Sequence, residues 1–171
     1  MYFSNMLEVG KRKKVVLCLL FWCILAADVW ASKSLRVVSW NIANFGASKT
    51  EEDVSYIATK LLGFDVIALQ EVSAGIAGVK QVEKLAMFLS LKGEAMAYTV
   101  SEPTNGPGTE RYAFIWKKGS VSLQESAFLL SSFDRKFDRE PFAARFRGRG
   151  GDFLLVNFHA VPKSKDPWKE C

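Results

Sequence analysis

Apolar and polar positions along the chain change period several times, and each change marks an element. Leu35-Arg36-Val37-Val38-Ser39-Trp40 is a short β-branched and aromatic run that predicts a first strand, followed by a turn from Asn41 to Phe45-Gly46. Thr50 with Glu51-Glu52-Asp53 reads as a helix cap and acidic first turn. Val54, Ile57, Ala58 and Leu61 then recur at helical spacing until Gly63. Asp65-Val66-Ile67-Ala68-Leu69 is almost continuously apolar, as in a strand covered on both faces, and it delivers Gln70-Glu71 at its end. Val82, Leu85, Ala86 and Leu89 predict a second helix closed by Gly93, and Ala95 to Val100 a third strand. Pro103 to Gly108 is a loop, after which helical spacing stops. Runs at 111–116, 121–123, 142–146 and 153–158 read as strands, the last two joined by a hairpin tip around Gly148 to Gly151. Helices early and strands late predict an α+β class with two sheets packed face to face and helices outside.

The first residues have a different character. Lys11-Arg12-Lys13-Lys14 precedes thirteen uncharged positions, Val15 to Ala27, and then Asp28-Val29-Trp30-Ala31-Ser32. A basic start, a short apolar centre and small residues at the end form the pattern of a secretory signal peptide over 1–31, cleaved after Ala31. A spanning helix needs ~20 apolar residues, so no membrane span is expected after cleavage. The predicted address is the secreted or periplasmic space. Cys18 and Cys23 leave with that segment, so only Cys171 stays and no disulfide forms within the remaining chain. The net charge of +5 falls to +3, because the leader carries four Lys/Arg against two acids. That balance permits a phosphate-bearing partner without requiring one. With 49% of residues hydrophobic and 13% aromatic, a packed core is expected and the composition argues against disorder.

Candidate chemistry collects at the ends of apolar strands, where a rigid backbone presents side chains to solvent. Asn41, Glu71 and His159 each stand at such an end. Asn and Glu offer oxygen to a hard divalent cation such as Mg²⁺ or Ca²⁺. His159 is the single histidine of the chain, which excludes a zinc site built from clustered His and Cys. A lone imidazole serves either acid–base chemistry near neutral pH or an ordinary structural hydrogen bond. Arg145, Arg147 and Arg149 alternate along the hairpin, as in a charge-protected edge or a nucleic-acid groove.

Six segments together carry a resemblance. Ser39-Trp40-Asn41-Ile42, Ile67-Ala68-Leu69-Gln70-Glu71-Val72, Ser101-Glu102-Pro103, Glu110-Arg111-Tyr112-Ala113-Phe114, Arg139-Glu140-Pro141 and Phe158-His159-Ala160-Val161-Pro162 occur in this order. In that order they resemble the deoxyribonuclease I-like proteins of the endonuclease/exonuclease/phosphatase superfamily, over about residues 35 to 165. The resemblance implies a four-layer α/β/β/α sandwich over 32–171, incomplete at the C-terminus, and a metal-dependent endonuclease hydrolysing DNA or RNA. It implies Asn41 and Glu71 as metal-holding residues, with Mg²⁺ the expected ion and Ca²⁺ or Mn²⁺ as alternatives. It further implies His159 as a catalytic histidine, Glu110 as the carboxylate that orients it, and Arg111 and Arg139 as phosphate-contacting residues. Each arginine also fits an ordinary surface ion pair.

Two positions depart from the family pattern. Gly108 stands where the animal nucleases carry a tyrosine for the DNA minor groove, and Ser73 where they carry an arginine for it. These departures open a second expectation, a sphingomyelinase- or phosphatase-like hydrolase of the same superfamily. The family's later Gly-Asp-Phe-Asn and Ser-Asp-His segments do not occur before Cys171. A third expectation is therefore a truncated, inactive product with apolar faces and sheet edges left open.

Overall fold

The computed structural model describes residues 34–106, 108–131 and 137–160. The proposed signal peptide and its cleavage point, Val161-Pro162 of the last motif and Cys171 all lie outside the described residues.

The first sheet contains β1 (Val37–Phe45), β2 (Val66–Ser73), β4 (Glu110–Lys117) and β3 (Met96–Val100), in the order β1-β2-β4-β3. β1 runs parallel to β2, while β4 runs antiparallel to both β2 and β3. The first crossover contains α1 (Glu51–Leu61) and the next connection α2 (Ile76–Lys92). Thr50 caps α1 as its sequence predicts: Asp53 N donates to Thr50 Oγ1 at 3.1 Å, and Thr50 N donates back to Asp53 Oδ2 at 2.9 Å. Two otherwise unpaired backbone donors are thereby satisfied.

The second sheet is built on β7 (Phe142–Gly148), with β8 (Gly151–Asn157) along one edge. β5 (Val121–Leu123) and the two-residue β6 (Phe128–Leu129) follow one another along the other. Arg149 and Gly150 form the expected hairpin tip. β6 is too short to leave a period in the sequence.

Alternation along β2 and β4 creates two cores. Ile67, Leu69, Ala113 and Ile115 face α1 and α2, packing on Val54, Leu61, Val82 and Leu85. Val66, Ala68, Tyr112, Phe114 and Trp116 face the second sheet and meet Phe142, Ala144 and Phe146. The Phe114 ring stacks on Phe142 at 5.4 Å and meets Phe146 edge-on at 5.7 Å. Truncating such a buried ring costs about 3–5 kcal/mol. The α+β sandwich is therefore the architecture, with three of the four expected layers among the described residues. The far side of the second sheet shows Phe128, Leu154 and Val156 to solvent.

One expectation needs correction. In place of a turn after Asn41, β1 continues to Phe45, which pairs with Val72 after a register shift between Asn41 and Phe45. The chain bends inside the strand, with Asn44 at φ 52°. A bulge of this kind re-aims side chains without ending the pairing, and no turn dipeptide marks it in the sequence.

Candidate active site

The bend in β1 has a counterpart in β2. Pairing of β2 with β4 shifts register between Leu69 and Val72, and Glu71 in that gap adopts φ 57°. A left-handed backbone is uncommon for a residue with a Cβ, and it is retained where surrounding structure holds it. Here the Asn41 amide donates to Glu71 Oε1 at 2.8 Å and Asn44 N reaches Oε2 at 3.3 Å. Glu71 N in turn lies 3.4 Å from Glu110 Oε1. The two irregular strand ends thus bring Asn41 and Glu71 together. Donation from the Asn41 amide is the largest influence on Glu71, and Asn44 N, His159 and Arg139 add to it. Against the opposing effect of burial, they hold its carboxyl below the usual range.

Glu110 opens β4 and is buried, with 6% of its surface exposed. Its backbone is fastened to the preceding loop: Glu110 N donates to Thr104 Oγ1 at 3.1 Å, and Thr104 N to Glu110 O at 2.9 Å. Both Glu110 oxygens stand 3.0 Å from His159 Nδ1. Carboxylate oxygens accept, so Nδ1 carries the proton and Nε2 is left for chemistry. Nε2 points to the mouth, 3.5 Å from Asn41 Nδ2 and 3.8 Å from Glu71 Oε1. Asn41, Glu71, Glu110 and His159, separated by up to 118 positions, form one continuous chain of contacts.

The two arginines take different places. Arg139 Nε lies 3.1 Å from Glu110 Oε2 and donates to Gly108 O at 3.0 Å, while its Nη1 is buried without a hydrogen-bond partner among the described residues. Arg111 is turned to the backbone, with Nε on Ala74 O at 2.7 Å and Nη1 on Ser101 O at 2.6 Å. It ties two loops together, and only part of its guanidinium is left for a ligand.

Both departures from the family pattern have local causes. A Cβ at Gly108 would lie 2.5 Å from Arg139 Nη2, so the guanidinium occupies the place of a side chain there. Ser73 is packed between Gly46 and Gly78, whose added Cβ atoms would each come within 2.1 Å of it. Glu140, missed in the sequence reading, accepts from Asn105 N at 3.0 Å and so joins the 101–109 loop to the Arg139 segment. Gly106 permits that approach, since its Cβ would sit 1.6 Å from Asp138 O.

The donor set suits a hard cation. Glu71 supplies a carboxylate and Asn41 a carboxamide 2.8 Å away, and Mg²⁺ binds one or two such groups while keeping several waters. The Asn41 amide presents its nitrogen to Glu71, so holding a cation there requires the amide to turn over. No group of three or more His, Cys, Asp or Glu suited to a metal occurs among the described residues.

No family model matches the sequence. Among curated proteins, the chain is 32% identical to human deoxyribonuclease-1 over 149 residues, covering 81% of this chain and 52% of that protein. It is 32% identical to a deoxyribonuclease of Thioalkalivibrio sp. over 133 residues, 75% of this chain and 36% of that protein. The chain is deoxyribonuclease I-like. It spans about half or less of the length of these relatives. An endonuclease/exonuclease/phosphatase family protein from Leptotrichia buccalis shares the fold, with a TM-score of 0.55 at 16% identity over 78% of this chain and 58% of that one. Among the described residues of this deoxyribonuclease I-like chain, no helix is long and apolar enough to cross a membrane.

Proposed function

We propose that the chain belongs to a secreted, divalent-metal-dependent phosphodiesterase that cleaves DNA or RNA. The observation that carries this reading is the two-sided placement of His159, with Nδ1 on Glu110 and Nε2 toward Glu71 and Asn41. Bound between Glu71 and Asn41, Mg²⁺ would supply charge stabilisation at a phosphate oxygen. His159 Nε2 accepts the proton of the attacking water, and Glu110 steadies the imidazolium that results. Arg139, 3.1 Å from Glu110, brings to the site a guanidinium of the kind suited to phosphate oxygens. The curated relatives named deoxyribonucleases support a nucleic-acid substrate, and the basic, apolar and small-residue pattern of the first 31 residues supports export.

The test is Mg²⁺-dependent nicking of plasmid DNA by the full natural protein, compared with its Glu71→Gln and His159→Ala variants. Cleavage that survives both substitutions, or that ignores chelation by EDTA, would overturn the reading. The inward packing of Ser73 and the Arg139 guanidinium at Gly108 favour a second reading, in which the substrate is a sphingomyelin-like lipid or a small phosphoester. Turnover of phosphocholine esters with DNA left intact would select it.

A further inference from the structure

β8 faces the first sheet with Phe153, Leu155 and Asn157, so the apolar inward row ends in an amide that is 2% exposed. Asn157 Nδ2 reaches across to the first sheet, donating to Leu69 O at 2.9 Å and Ala113 O at 3.3 Å. Leu69 and Ala113 are register partners at the point where the β2–β4 ladder shifts. Asn157 Oδ1 accepts from buried Gln70, whose Nε2 also donates to Ser39 Oγ at 2.9 Å. One irregularity therefore turns Glu71 toward the mouth and receives the end of β8.

Among the residues of the mouth, Asn41, Glu71 and Glu110 lie on the first sheet, whereas His159 follows the second. Between the sheets, contacts such as Phe114 on Phe142 and Phe146 are apolar and weakly directional, so they resist sliding poorly. Hydrogen bonds have direction, and a buried polar group left unpaired costs about 1–3 kcal/mol. Two residues of chain reach at most about 7 Å, so wherever Asn157 is held, His159 follows closely. Its own N–H is anchored on the Tyr112 hydroxyl at 3.2 Å.

We propose that Asn157, braced by Gln70, is a positioning residue that locks the two sheets in register and thereby sets His159 against Glu110 and Glu71. The catalytic part of this statement rests on the phosphodiesterase reading above; the geometric part does not. Because the chain has one histidine, an imidazole nitrogen spectrum of the full chain labelled with ¹⁵N-histidine reports His159 alone. Asn157→Asp keeps the acceptor for Gln70 and loses both donors to the carbonyls. Gln70→Met removes the brace with an apolar side chain of similar size. Val121→Ala, in the same inter-sheet core, controls for lost stability alone.

Asn157→Asp and Gln70→Met should shift or broaden the His159 signals, and Val121→Ala should leave them in place. In the active natural protein the two variants should lose about 10- to 100-fold in kcat with little change in KM, the effect of misplacement by about an ångström. Unmoved His159 signals in a folded Asn157→Asp protein would overturn the proposal, as would an equal shift in Val121→Ala. Should Asn157→Asp not fold, the Gln70→Met spectrum decides in the same way. A moved imidazole in a protein that cleaves no phosphodiester would refute the function while upholding the positioning.

Discussion

Two clusters on this molecule mix arginine with carboxylate, and they differ in nearly every physical respect. At the hairpin, Arg147 grips Asp152 through two hydrogen bonds of 2.6 and 3.0 Å, and Arg145 meets Glu125 at 2.9 Å. Arg147 and Asp152 are neighbours in the β7–β8 ladder and Glu125 lies in the β5–β6 connection; Arg145 and Arg147 are more than half exposed. At the mouth, Glu110 is shared by Arg139 and His159 while Glu71 is held by Asn41, and these groups come from β1, β2, β4, the 137–141 segment and the residue pair after β8. Exposed pairs satisfy each other in water and gain little. A carboxylate that is 6% exposed instead acts on a fixed imidazole in a low-dielectric setting, where direction and charge count for more. The expectation of a charge-protected edge needs correction, because β7 is paired on both sides; Arg145 and Arg147 stand instead on an exposed face of the sheet, where each already has an anionic partner.

The contrast breaks most sharply in activity. In the full natural protein, His159→Ala should lower DNA hydrolysis by about 10²- to 10⁴-fold, the range for a lost acid–base group, whereas Arg147→Ala should leave it within about twofold. Equal losses in a plasmid-nicking assay would erase the distinction between the clusters. Next in size is metal binding: Glu71→Gln should weaken Mg²⁺ binding by at least about tenfold in calorimetric titration, with Glu125→Gln unchanged.

Stability sharpens the same comparison at smaller magnitude. Burial alone would raise the Asp65 carboxyl, but the Arg36 backbone N–H, the Ser120 hydroxyl and the Lys117 ammonium outweigh it and hold it below its ordinary value. A depressed carboxyl contributes stability above its unfolded value and loses it as pH falls through the lower folded one. Asp65→Asn should therefore cost about 1–3 kcal/mol near neutral pH and flatten the acid side of a urea-melt profile between about pH 5 and pH 2. Removing the exposed Arg145 should change unfolding free energy by no more than about 1 kcal/mol, and less at high salt.

Much of this arrangement was legible in the chain. The Thr50 cap, the period of α1, the apolar run of β2 and the Gly-rich hairpin tip are local signals, each produced by neighbours in sequence. The resemblance placed Asn41, Glu71, Glu110 and His159 as candidates, and the structure brings these four together. Arg111 was equally visible, yet two backbone carbonyls take its Nε donor and one from Nη1 and turn it toward the backbone. Asn157 and Gln70 were given no role, although a polar residue on the inward row of an apolar strand was the available sign.

By itself, then, the sequence determined both helices, the longer strands and which of their faces are apolar, because propensity, capping and alternation act over a few residues. Tertiary structure decided where the strands bend, why Glu71 stands in a left-handed conformation, and which arginine contacts Glu110. Those outcomes depend on carbonyls, amides and guanidinium groups that meet only after the sheets pair and pack. No local pattern encodes a partner more than a hundred positions away.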